Sequence, residues 1–305
     1  MRAWRAEVVV DADLARKLLA QFPELTVQTL RPLAEGWDRT VWLVNEQWVF
    51  GFPRRAMVVP GVELELAALP RLAPLLPLPI PTPVFFGRPR DGYPWPFFGA
   101  SFLPGREAGE AGLDDAARTR LALELAPFLR RLHGADVLEA LRGVDLPVDP
   151  TRRADAPHRA GLARAQLAEL EQLGLWRPQP SVERVLEEGA RLPPSSAPRA
   201  VVHGDLHFRH LLVEDGRLSG VIDWIDVCRA DRAVDLQLVW SLVPPRARPA
   251  FLEAYGPVTD EQLLRARVLA LQLCAVLALY GHHEGMPEIT REALAGLARA
   301  ATLEA

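Results

Sequence analysis

VVHGDLHFRHLLVEDGRLSGVIDW, residues 201–224, is the stretch on which the reading of the whole chain turns. Asp215-Gly216 is a strong two-residue hairpin signal, because both residues tolerate the positive φ that such a turn demands. Apolar runs flank it: Leu211, Leu212 and Val213 before, Leu218, Val221 and Ile222 after. With 215 and 216 as the loop, Glu214 faces Arg217, His210 falls opposite Val221, and Asp223 falls opposite Phe208. Paired strands lie about 4.8 Å apart, so His210 and Asp223 are expected close together. Asp205, on the loop entering the hairpin, sits beside the same spot. Taken singly, each aspartate reads as a solvated turn residue. Together they place two carboxylates and an imidazole at one open hairpin end. A buried acidic pair without a partner is unfavourable, and a divalent cation relieves it. Mg²⁺ takes one or two carboxylates plus substrate phosphate oxygens.

Working outward, the preceding half of the chain is β-rich. Asp11 caps an expected first helix to about Gln21. Strands are expected at Leu30–Leu33, Thr40–Val44 and Gln47–Phe52, with Asn45-Glu46 as a hairpin tip. A helix follows around Val62–Leu72, then proline-punctuated strands at 79–87 and 96–103. Pro104-Gly105 breaks the chain. Beyond it the periodicity is helical: Leu121, Leu125, Phe128, Leu129 and Leu132 form one stripe. Leu162–Leu173 reads as a helix closed by Gly174, and Ser181 as the cap of another. The order predicts an α+β fold of two lobes with a hinge near Ser101–Gly105.

Composition narrows the class. The chain has 305 residues, 49% hydrophobic and 24% charged, with a net charge of -4. No basic excess suggests a nucleic-acid partner, and weak acidity suits a cationic small substrate. Cys228 and Cys274 have no metal-ligand spacing, so a cytoplasmic location is expected. The N-terminal residues do not read as a signal peptide. The apolar run Val268–Tyr280 is too short to span a membrane and reads as a core helix. The sequence does not address oligomeric state. Lys17 is the only lysine.

His203-Gly204-Asp205 with the following Leu-His-Phe-Arg-His resembles the H-G-D-x-x-x-x-N loop of the aminoglycoside phosphotransferase family, the counterpart of H-R-D-x-x-x-x-N in protein kinases. Val221-Ile222-Asp223-Trp224 resembles the family's I-D-W segment, and Asp231 and Asp235 resemble its D-P-x-x-D-L. Residues 33–40, Trp48–Arg55, Glu65-Leu-Ala-Ala-Leu-Pro and Pro96–Gly105 resemble its phosphate loop, its F-K-F-P strand, its glutamate helix and its hinge. The resemblance runs from about residue 30 to 240. It implies a bilobal protein-kinase-like fold, with residues 1–103 as the N-terminal nucleotide-binding lobe and 104–305 as the catalytic and substrate-binding lobe. It implies a small-molecule kinase moving the γ-phosphate of ATP or GTP to a hydroxyl of an aminoglycoside-like or other small acceptor. Asp205 would accept or orient the hydroxyl proton, and Asp223 with His210 would hold Mg²⁺. Gly36, Trp37, Asp38, Thr40, Glu65 and the backbone of Ser101 and Leu103 would meet the nucleotide. Asp231 reads as a helix cap and Asp235 as structural.

Two positions depart from the pattern. Gly51 stands where a phosphate-binding Lys or Arg is expected, which leaves Glu65 without its partner. Either Arg55 reaches in from the same strand, or the enzyme is slow or inactive. His210 replaces the metal-binding Asn; its nitrogen suits Mn²⁺ better than Mg²⁺, and it serves equally as a packing residue. Two other classes compete: a non-catalytic nucleotide-binding module on the same fold, and a metal hydrolase using His203, His207 and His210. His207 reads as a loop brace. For the acceptor, Asp226, Glu284 and Glu288 are candidate acids, and Trp176, Trp224 and Trp240 candidate apolar surfaces.

Overall fold

The structure, a computed structural model, describes residues 6–36 and 38–302. The chain divides into two units. The first takes the residues up to Leu75, Pro79–Leu103 and Leu141–Asp145; the second takes Leu76–Leu78, Pro104–Ala140 and the residues from Leu146 on.

In the first unit, helix α1 (Ala12–Leu19) starts where the Asp11 carboxylate accepts the Leu14 N–H at 2.9 Å. Five strands form one sheet: β1 (Leu30–Glu35), β2 (Arg39–Val44), β3 (Trp48–Pro53), β4 (Pro83–Gly87) and β5 (Phe97–Ser101), in the order β1-β2-β3-β5-β4. Asn45 and Glu46 turn β2 into β3 at φ 54° and 52°, as their position at the hairpin tip requires. Phe50, Phe52, Phe85 and Phe97 bury one face of the sheet against Phe22, Leu18 and Leu19. Helix α2 (Val59–Leu72) carries Glu65 on its buried side.

The second unit is mostly helical: α3 (Asp115–Leu132), α4 (Ala135–Ala140), α5 (Ala156–Gln172), α6 (Pro180–Ala190), α7 (Ala233–Leu236), α8 (Leu238–Ser241), α9 (Arg248–Tyr255), α10 (Asp260–His283) and α11 (Pro287–Ala301). Helix α10 opens with a capping box between Thr259 and Gln262. Its residues Arg265–Ala275 are all buried, so the apolar run near 268–280 is core. Helix α5 begins six residues before the expected Leu162, because Asp155 accepts the His158 N–H at 3.0 Å. Ser181 is not the cap of α6. Gln179 precedes the helix and Pro180 opens it, since proline's fixed φ already suits the first helical position.

Two small sheets carry the site. Strands β7 (Ala200–Val202) and β10 (Cys228–Ala230) pair antiparallel, and β6 (Arg106–Glu107), β8 (Leu211–Glu214) and β9 (Arg217–Val221) form the other sheet in that order. Asp215 and Gly216 make the expected turn at φ 50° and 73°. Glu214 faces Arg217, but Leu212 faces Gly220 and Leu211 faces Val221. The sequence reading put Val221 opposite His210. A β-bulge at Ser219 adds one residue to the second strand and moves the partner. As a result the Ile222 N–H donates to the His210 carbonyl at 2.9 Å.

Candidate active site

The loop between β7 and β8 is fixed from below by Asp235 on α7. Its buried carboxylate accepts the His203 N–H at 2.8 Å and the Gly204 N–H at 3.1 Å. His133, following α3, donates from Nε2 to the same carboxylate at 3.1 Å, and its Nδ1 lies 2.7 Å from the Tyr255 hydroxyl. Burial alone would raise the Asp235 pKa; the His133 hydrogen bond and charge outweigh it and hold the group below the usual carboxylate range. Asp235 is therefore structural, as expected, in a specific sense: it clamps the two amides that aim Asp205. Gly204 sits at φ +90°, and a Cβ there would stand 2.2 Å from the Asp226 carbonyl, so only glycine fits. Asp231 was expected to cap the helix that opens here; Arg232 holds the cap position of α7 with no side-chain cap bond, while the Asp231 carboxylate accepts the Ala233 N–H at 3.0 Å and also binds Ser195 and Gln262.

Three imidazoles line the loop, each with a different task. His203 is fully buried; its Nε2–H donates to the Ile222 carbonyl at 2.9 Å and its Nδ1 accepts the Asp205 N–H at 3.3 Å. Burial, aided by the neighbouring His210, pushes its pKa down from 6.5 to about 4. His207 accepts the Arg209 N–H on Nδ1 at 3.3 Å, which leaves the proton on Nε2, 3.7 Å from Asp205 Oδ2. Burial likewise holds it well below 6.5. It braces the loop. His210 donates from Nδ1 to the Asp205 carbonyl at 2.7 Å, and its Nε2 stands 3.3 Å from Asp223 Oδ2. Burial would lower its pKa; the Asp223 charge and hydrogen bond prevail and raise it. Asp223 holds this place at φ +64°, an uncommon backbone state for a residue with a side chain.

The donor set fits a small divalent cation. Ligands about 2.1 Å from one ion stand roughly 3 Å apart, close to the His210–Asp223 separation. Asp205, His207 and His210 also place one ligand atom each within 4.8 Å of one another.

Arg153, at the same site, carries no sequence signal. Arg153 reaches in from the loop before α5, with Nη2 2.7 Å from Asp205 Oδ1 and 3.3 Å from Asp226 Oδ2. It is mostly buried. Desolvation opposes its charge, but the two carboxylates override that and raise its pKa. Asp226, read as a candidate acid for a cationic acceptor, is thus already paired. Trp224 is core, its ring centre 4.6 Å from that of His203, and the Trp240 ring has the guanidinium groups of Arg248 and Arg267 over it at 4.5 and 4.6 Å. Trp176 is half-buried, and Glu284 and Glu288 are exposed.

In the first unit, the Gly36 N–H donates to the Arg39 carbonyl at 3.0 Å, and Arg54 donates to the Gly36 carbonyl at 2.6 Å. Thr40 is buried opposite Phe52 on β2. Trp37 lies outside the described residues. Ser101 ends β5, with Leu103 two residues on. Arg55 does not reach Glu65, as one sequence hypothesis had it; it pairs with Asp38 at 2.6 Å. Glu65 is bound instead by Arg39, at the start of β2.

A family model described as "Phosphotransferase enzyme family" matches residues 29–268. An aminoglycoside 3'-phosphotransferase of Escherichia coli is 33% identical over 135 residues, covering 43% of this chain and 48% of that protein. The chain spans about half the length of the curated relatives it matches. Among solved structures, the GDP and kanamycin complex of APH(2")-IIia matches with a TM-score of 0.68 at 23% identity, over 95% of this chain and 98% of that one. A macrolide 2'-phosphotransferase, MphH from Brachybacterium faecium, matches with a TM-score of 0.61 at 24% identity, over 96% and 99%. At these identities the structural likeness is one of fold: a β-rich N-terminal sheet followed by a helical part.

Proposed function

The chain belongs to the phosphotransferase enzyme family, and on that premise we propose that it is a small-molecule kinase moving the γ-phosphate of ATP or GTP to a hydroxyl of a small acceptor. Aminoglycoside-like and macrolide-like alcohols are the first acceptors to consider, since similar proteins carry those names. One observation carries the reading: the hairpin returns Asp223 to within 3.3 Å of His210, whose other nitrogen is tied to the Asp205 backbone.

In this reading Asp205 takes the proton of the acceptor hydroxyl through Oδ2, while Arg153 occupies Oδ1 and fixes the carboxylate's rotation. The acceptor oxygen bonds to the γ-phosphorus. The bond from that phosphorus to the β–γ bridging oxygen breaks, and the nucleoside diphosphate leaves with the electron pair. Asp223 and His210 would hold a divalent cation, Mg²⁺ or Mn²⁺, which neutralises phosphate charge when bound. Gly36, Asp38, Thr40 and Glu65, with the Ser101 and Leu103 backbone, serve the nucleotide. Trp37, outside the described residues, is assigned to the same loop by resemblance.

The test is a panel of hydroxylated acceptors with ATP and GTP, read by release of nucleoside diphosphate in Mg²⁺ and Mn²⁺. Acceptor-dependent release is expected, and Asp205→Asn should lower kcat by about 100-fold or more. Nucleotide binding with no transfer to any acceptor would favour a non-catalytic module and overturn the kinase reading. Stoichiometric zinc in the purified protein, with no nucleotide binding, would point to a hydrolase.

A further inference from the structure

We propose that Arg39 is the phosphate-binding cation of this chain, displaced from β3 to the neighbouring strand β2, and that Gly51 is the residue that makes room for it. This rests on the kinase reading above.

The backbone register explains the exchange. Val41 faces Gly51 and Arg39 faces Pro53. Directly opposed residues of an antiparallel pair share a face, and alternate residues of one strand do too. Arg39 and position 51 therefore present side chains to the same face, one step apart on the diagonal. A Cβ at Gly51 would lie 3.2 Å from Arg39 Cδ and 3.7 Å from Nη1. The arginine thus runs through the space a side chain on residue 51 would fill. At its end it pairs with Glu65, which is 2% exposed and would be an unpaired buried carboxylate without it. Phe98, opposite Gly51 on β5, lies under the guanidinium at 5.5 Å from its ring centre.

The neighbouring arginines do not compete for this role. Arg54 binds Glu35 at 2.7 Å and the Gly36 carbonyl, and Arg55 binds Asp38. In kinases a basic residue paired to a helix glutamate must be in place for phosphate handling. A guanidinium meets carboxylate and phosphate with the same planar fork. The Arg39 side chain keeps 15% of its surface exposed, and its backbone carbonyl accepts the Gly36 N–H. Absence of a cation at 51 is then a relocation rather than a loss.

Titration calorimetry of the full chain with ATP and with GTP first finds the nucleotide bound; that triphosphate and its parent nucleoside are then titrated into variants. Arg39→Met combined with Glu65→Gln removes both charges of the buried pair together, and thermal melting checks its fold. It should bind the triphosphate about 10- to 100-fold more weakly with nucleoside affinity unchanged, the scale of one or two lost charge-assisted hydrogen bonds. Arg39→Ala with Gly51→Lys, which returns the cation to β3, should recover most of the loss. Equal weakening of triphosphate and nucleoside, no weakening, or a folded Arg39→Ala, Gly51→Lys variant that recovers nothing would each overturn the assignment. A wild-type chain that binds neither triphosphate would instead overturn the kinase reading on which it rests.

Discussion

His210 Nε2 lies 3.3 Å from Asp223 Oδ2 across a hairpin whose second strand carries one more residue than its first. The pair offers one nitrogen and one oxygen to a cation. Nitrogen is accepted more readily by Mn²⁺ than by Mg²⁺. The ratio of kcat/KM in Mn²⁺ to that in Mg²⁺ should fall by about tenfold in His210→Asn, on the scale of altering a metal site's donor shell. Equal ratios in the two proteins would show that His210 only packs.

Asp235 ties His133 to the amides of His203 and Gly204. Asp235→Ala removes the acceptor for all three donors while they stay buried. Denaturant unfolding should show a loss of about 3–5 kcal/mol, as for a broken buried ion pair. A loss under about 1 kcal/mol would mean that the loop holds its shape by other contacts.

His203 makes stability depend on pH. The unfolded imidazole protonates near 6.5, whereas the folded one resists until about 4. Stability is therefore complete above pH 6.5 and declines as pH falls through that window, by an amount on the order of 3 kcal/mol. His207 acts in the same direction. With a chelator present, urea unfolding between pH 7 and 4.5 should show a shallower decline in His203→Gln than in wild type. An unchanged slope would contradict the buried neutral assignment.

Arg153 offsets the charge of Asp205 and Asp226. Removing it leaves Asp205 and Asp226 as two partly exposed carboxylates with no guanidinium between them. Arg153→Met should lower KM for a polycationic acceptor relative to an uncharged hydroxylated one by about tenfold, and more at low salt. A shift in the opposite sense would mean that Arg153 itself contacts the acceptor.

What could be read from the sequence differs residue by residue. Asp215-Gly216 was legible because few residue pairs tolerate two positive φ angles in succession. That one turn was enough to bring 210 and 223 together. The bulge at Ser219 was not legible: an extra residue on one strand leaves the hydrophobic run intact, and only the pairing records it. Arg39 was hidden for a similar reason. Its partner is set by a long side chain running past Gly51 of the neighbouring strand to Glu65 on α2, which no spacing along the chain expresses. Arg153 comes from a loop far from Asp205 in sequence, and arginine-rich stretches are too common here to single it out. His133 carried no motif and gains its role only when α3 is placed beside α7 and α9.

The replacement of ammonium by guanidinium beside Glu65 has a practical outcome. An acylating nucleotide probe marks a protein only where it finds a nucleophilic amine. Guanidinium groups stay protonated far above neutral pH and resist such reagents. With Lys17 the sole lysine, and α1 its location, an amine-directed nucleotide reagent should leave the surroundings of Glu65 unmarked. A photo-crosslinking nucleotide, which needs no amine, is the appropriate reagent for this chain.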